Sequence, residues 1–168
     1  MSMRAFALIG ALTLVACSSK PAGDASSETE AYVRQAAVGD LFEIQSSRLA
    51  LTRTADDDIA NFAQAMVDDH MRSSLGLKEA VDEADLDVDI PEQLDAKHEA
   101  LLGRLRNAQS IEFDTLYAQI QADAHKEAYN LHRNYGEDGE IAALRRHANE
   151  VTPVIEHHLM EVQSLPGQ

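Results

Sequence analysis

Cysteine, proline, glycine and aromatic residues are all scarce in this chain. One Cys among 168 residues excludes an internal disulfide framework and any cysteine-based zinc site. Gly and Pro number only 8 and 4, while 26 Ala and 18 Leu stand against 9 Val, 8 Ile and 6 Thr. Helix formers therefore outweigh strand formers, which argues against an all-β sandwich or barrel. Cations are few as well: 14 Lys and Arg against 29 Asp and Glu give a net charge of −15. That balance argues against a nucleic-acid partner and against polybasic attachment to a membrane surface. No glycine-rich phosphate loop occurs. What is abundant is apolar side chain, 45% of residues, which suffices for a core in a chain of one-domain length.

The N-terminus reads as an address. Arg4 is followed by an apolar run of 12 residues, Ala5 to Ala16. A helix needs roughly 20 residues to span a bilayer, so this run fits the hydrophobic region of a secretory signal peptide instead. The residues Leu14-Val15-Ala16-Cys17 resemble the lipobox of bacterial lipoproteins, in which the chain is cut before the Cys and that Cys is lipidated. Ser18 to Thr29 is rich in Ser, Ala, Gly and Pro without apolar periodicity, the composition of a flexible tether. The expected organisation is a signal peptide over 1–16, a lipidated Cys17 with its tether over 17–29, and a helical domain over 30–165. In the lipoprotein resemblance, Ser18 after the Cys implies sorting to the outer membrane, with the domain facing the periplasm.

Helical periodicity then runs along the chain. A first helix from about Glu30 to Thr54 has Val33, Ala37, Ile44, Ser47 and Leu51 on its inner stripe, with Ala36 and Ala50 alongside. Asp56, Asp57 and Asp58 suit the start of a second helix, which runs to about Ala84 with Ile59, Phe62, Ala63, Met66, His70, Leu77 and Val81 on one face. Pro91 is placed to start a short third helix carrying Leu94, Leu101, Leu102 and Leu105 inward. Ser110 is placed to cap a fourth, with Phe113, Tyr117, Ile120, Ala124, Ala128, Leu131 and Tyr135. Gly136 and Gly139 break it. A fifth begins near Glu140 and is kinked or restarted at Pro153, with Leu144, Ala148, Val154, Ile155, His158 and Val162 inward.

Short joints between helices one and two, and four and five, predict two antiparallel hairpins. The long connection between the hairpins predicts the crossover of an all-α, ferritin-like four-helix bundle, with the short extra helix inside that crossover. Phe62 precedes His70 by eight residues, and Tyr117 precedes His125 by eight, a faint echo between the hairpins.

His70 sits at the centre of an apolar stripe, His158 on or near one, and His125 and Glu43 at the margins of theirs. One such residue per helix can converge on a first-row transition metal, since imidazole suits iron, copper, zinc or nickel and a carboxylate supplies charge. The competing reading is a hydrogen-bonded core histidine at His70 and an exposed carboxylate at Glu43. His98, His132, His147 and His157 read as surface residues. Val67 and Ile155 stand three residues before His70 and His158, so neither position makes the Glu-x-x-His pair of a di-iron carboxylate site.

Several spaced segments carry a family resemblance. They are Tyr32-Val33-Arg34-Gln35-Ala36-Ala37 with Glu43, Phe62-Ala63, and Met66-Val67-Asp68-Asp69-His70. Phe113-Asp114, Tyr117, His125, Pro153 and His158-Leu159 follow. Over about residues 30–165 the chain resembles the bacterial ferritin-like family called domain of unknown function 4142. The resemblance implies a ferritin-like bundle in the cell envelope and a candidate site at Glu43, His70, His125 and His158. It implies no reaction. Three functions stay open: a lipoprotein domain that binds a metal or a protein partner without catalysis, a metal-dependent redox enzyme, and a structural or interaction module.

Overall fold

The structure is a computed structural model that describes residues 25–165. The expected signal peptide, Cys17 and the tether up to residue 24 lie outside the described residues. The rest is all-α: α1 (Ser27–Arg53), α2 (Asp57–Glu83), α3 (Ala96–Asn107), α4 (Ser110–Asp138) and α5 (Ala142–Val162), with no strand among the described residues. No described helix is long and apolar enough to cross a membrane.

Local chemistry sets most ends. α1 starts three residues ahead of the expected Glu30, because the Ser26 side chain accepts from the Thr29 backbone N–H and caps the helix. Asp56 caps α2, accepting from the N–H groups of Asp58 and Ile59. After α2 the chain turns through Asp85 at φ 52°, a conformation Asp tolerates better than most side chains. Pro91 does not start α3. Asp95 does, by accepting from the His98 N–H, and Pro91 stays in the preceding extended segment. Arg53 closes the other end of α3 by donating to the carbonyls of Leu105, Arg106 and Ala108, and lies 4.7 Å from the centre of the Phe113 ring. α4 runs through Gly136 and ends at Gly139. α5 continues unbroken through Pro153, which sits on an exposed position and so costs the helix one backbone bond without disturbing the core.

The four long helices pack α1 on α2, α4 on α5, α2 on α5 and α1 on α4, while α3 lies against α1 and α4. Two apolar clusters result. One gathers Phe42, Ile59, Phe62, Met66, Leu102, Leu105, Phe113, Tyr117 and Val162. The other gathers Tyr32, Val33, Ala36, Leu77, Val81, Tyr135, Leu144 and Ala148. Each fully buried large side chain contributes about 1.5–3 kcal/mol.

α1 buries most of the face its apolar residues mark: Val33, Ala36, Ala37, Ser47 and Ala50 are inside. Leu51 is 37% exposed and Ile44 half-buried, whereas Tyr32 and Phe42 are buried. The inner face is wider on one side than expected because Thr29, Asp40, Glu43 and Ser46 are buried too, and apolar periodicity does not count them. Val154, expected inward on α5, is also largely exposed.

Candidate metal centre

Along every long helix the two apolar clusters are separated by a polar interval. On α1 it holds Asp40 and Glu43, on α2 His70 and Ser73, on α4 His125 and His132, on α5 His158, with His147 earlier in that helix beside Ala148 of the second cluster. All eight are buried. Height in an antiparallel hairpin depends on distance from the turn. His125 lies 14 residues before Gly139 and His158 16 residues after Ala142, about 21 and 24 Å along their axes. Glu43 and His70 are similarly matched about the α1–α2 turn. His158 therefore reaches the level of the others in an unbroken α5, without the kink or restart expected at Pro153.

Three nitrogens, one each from His70, His125 and His158, lie within 4.8 Å of one another. The ring centres are 5.6 Å apart for His70 and His125, 5.8 Å for His70 and His158, and 5.3 Å for His125 and His158. The faint echo between hairpins corresponds to real neighbours: Phe62 and Tyr117 meet at 6.3 Å just as His70 and His125 meet. Glu43 stands beside this tight group rather than inside it, with Oε1 3.7 Å from His125 Nδ1.

Each histidine is held by one ring nitrogen. His70 Nδ1 donates to Asp40 Oδ1 at 2.7 Å, His125 Nδ1 to the Gln121 carbonyl at 2.8 Å, and His158 Nε2 to Asp69 Oδ2 at 2.9 Å. These acceptors fix the tautomers, so His70 Nε2, His125 Nε2 and His158 Nδ1 keep their lone pairs in the neutral rings. His125 Nε2 and His158 Nδ1 are 3.4 Å apart, with no proton between them in these tautomers. Ligands about 2.0–2.1 Å from a tetrahedral ion lie about 3.3–3.4 Å apart, so this separation suits two bonds to one cation. His70 Nε2 and Glu43 Oε2 are buried without any hydrogen-bond partner. Leaving such groups unsatisfied costs about 1–3 kcal/mol each, and a cation held by the three imidazoles would satisfy His70 Nε2.

The electrostatics agree. Burial pushes the Glu43 carboxyl up to about 7, against the pull of His70 and a hydrogen bond from Gln121. Burial, then His70 and His158, hold His125 well below the ordinary histidine value. Burial and His70 bring His158 down to about 4. At neutral pH both rings are thus neutral and able to bind a metal. His70 differs. Burial lowers it, yet the hydrogen bond and charge of Asp40, aided by Glu43, raise it overall.

Two of the histidines expected at the surface are buried. His132 is 3% exposed and His147 5%. Tyr32 OH and His132 Nδ1 share a hydrogen bond at 3.1 Å, and the two imidazoles are 5.9 Å apart. Burial takes His132 down to about 4 and lowers His147. His157 is exposed and His98 half-buried. The residues that sequence reasoning missed are Asp40, Asp69 and Gln121, which orient the rings. Asp69 precedes His70 directly in the sequence, but its partner is on another helix, so no local pattern marks the contact.

Fold and site together define an all-helical protein with a buried cluster of three histidines, each oriented by a carboxylate or a carbonyl. Over residues 15–165 the chain matches the family described as Domain of unknown function (DUF4142), and it belongs to that family. No curated protein and no solved structure matches it significantly.

Proposed function

We propose that this chain is a cell-envelope lipoprotein whose helical domain, a ferritin-like four-helix bundle, binds a first-row transition metal without catalysis. The observation that carries the reading is the set of three imidazole nitrogens within 4.8 Å of one another, each ring tied down through its other nitrogen. Metal-binding histidines commonly donate their second nitrogen in this way, which fixes the ring and raises its basicity. His70, His125 and His158 are the proposed ligands. Glu43 offers an adjacent carboxylate. With no sulfur among these donors, nitrogen- and oxygen-preferring ions are favoured over copper(I).

Two hairpins joined by a long crossover with a short helix support the ferritin-like assignment. Leu14-Val15-Ala16-Cys17 supports a lipid anchor at Cys17, and Ser18 supports the outer membrane with the domain facing the periplasm. The acidic domain gains nothing from anionic headgroups, so the acyl chains alone hold it there.

Metal analysis of the protein purified without a His tag tests the reading. One equivalent of Zn²⁺ or Co²⁺ per chain, lost in His125→Ala, is the expected result. No binding above that of the triple alanine variant at His70, His125 and His158 overturns it. A metal-dependent redox enzyme is the second reading, favoured by the cavity of about 220 Å³ that reaches His70 and His158. Metal-dependent turnover of an oxidant would select it.

A further inference from the structure

We propose that the cavity between α2 and α5 is the route by which a first-row cation reaches the histidine cluster, with His147 as a transient ligand on the way. The inference rests on the metal-binding reading above. His70 and His158 line this cavity, and so do His147, Ser73, Gly76 and Glu150. Its apolar wall, Val151, Val154 and Ile155, lies on α5 between His147 and His158.

Two polar groups in this lining have no structural use. His147 Nε2 and Ser73 Oγ are buried without a hydrogen-bond partner, and their residues are only 5% and 8% exposed. Native structures rarely leave such atoms unpaired. On α2 the lining residues are spaced as steps. His70, Ser73 and Gly76 follow at three-residue intervals, so each is about 4.5 Å further along the helix. His147 lies against the last of these positions: a Cβ at Gly76 would stand 3.1 Å from His147 Nδ1. Glycine at 76 therefore makes the room in which the His147 ring sits. A hydrated cation entering beside Glu150 meets an imidazole nitrogen, then a hydroxyl, then the cluster.

Charge admits a cation on this side. Glu150 is exposed, and its charge acts on His147. Arg72, the one cation in the lining, is tied to Asp69. The second cavity that reaches His70 holds Arg34 and Lys97 but also Asp40, Glu43, Asp95 and Glu127, with Lys97 paired to Glu127, so charge does not separate the two openings. What sets the α2–α5 opening apart is the unpaired His147 and Ser73 that line it; its acidic mouth then raises the local concentration of cations.

Stopped-flow mixing of the full-length protein in detergent with CoCl₂, followed by visible absorption, tests the route. Equilibrium stoichiometry is measured in parallel. Glu150→Lys is at an exposed position and leaves the fold intact, and it is expected to slow uptake about tenfold with one Co²⁺ still bound per chain. His147→Gln is expected to do the same. Glu127→Lys, the same charge change at the second cavity, is expected to stay within about twofold of the parent. Unchanged rates in Glu150→Lys, or equal slowing by Glu127→Lys, overturn the route while the metal site stands. Absence of Co²⁺ binding by the unaltered protein overturns both.

Discussion

Asp40→Asn separates the charge of the Asp40–His70 contact from its geometry. Asp40 is 4% exposed and accepts from His70 Nδ1 at 2.7 Å and from Ser74 Oγ at 3.3 Å. Asparagine retains an oxygen that can accept the same proton, so His70 keeps its tautomer and orientation. It loses the charge that makes the ring a stronger donor. Removing such an outer partner typically lowers metal affinity 10–100-fold, about 1.4–2.7 kcal/mol. Without that charge, burial dominates at His70 and its pKa falls below the ordinary value. Asp40→Ala goes further by leaving the His70 Nδ1–H buried and unpaired, which costs about 1–3 kcal/mol of stability in addition. Zn²⁺ competition against a chromophoric chelator measures the first effect and urea unfolding of the metal-free protein the second. Both variants binding Zn²⁺ within about twofold of the parent would refute the argument that Asp40 supports a metal ligand.

Acid should destabilise the metal-free protein. His132 and His158 are brought down to about 4, and His125 and His147 are also lowered, so the contribution of all four is complete above about pH 6.5 and is lost as pH falls below it. Glu43, raised to about 7, and His70, also raised, act in the opposite sense, stabilising most at low pH. Four groups outweigh two, and a loss on the order of 2 kcal/mol between pH 7 and 5.5 is expected in urea midpoints; an equal or higher midpoint at pH 5.5 contradicts it. Phe62→Ala should cost about 3–5 kcal/mol, since the ring is 5% exposed and packs edge-on against Tyr117 and His158; a loss below about 1 kcal/mol would mean the site has no packed floor. Cys17→Ser should release the protein from the membrane fraction, and unchanged detergent-phase partitioning would contradict lipid anchoring.

Helix existence was legible in the sequence because most core positions are apolar at helical spacing. The α2 face from Ile59 to Val81 is an example: every residue assigned to it is buried. α1 was harder to read. Its inner face also contains Thr29, Asp40 and Ser46, and their partners are distant in sequence: Tyr135 for Thr29, His70 for Asp40, Gln121 for Ser46. A polar residue satisfied by a partner on another helix looks like a surface residue to any periodic reading. His132 and His147 were misplaced for the same reason. His70 stood out because apolar neighbours flank it on both sides. His158 lies near the C-terminus, yet its distance from the hairpin turn brings it level with His125.

The central claim is that His70, His125 and His158 bind one metal ion together. X-ray absorption at the zinc edge of the Zn²⁺-loaded protein tests it most directly. Three imidazole nitrogens at about 2.0–2.1 Å, with oxygen completing the shell, are the predicted result. A shell with one imidazole or none, or one that is unchanged in the triple alanine variant, would contradict it.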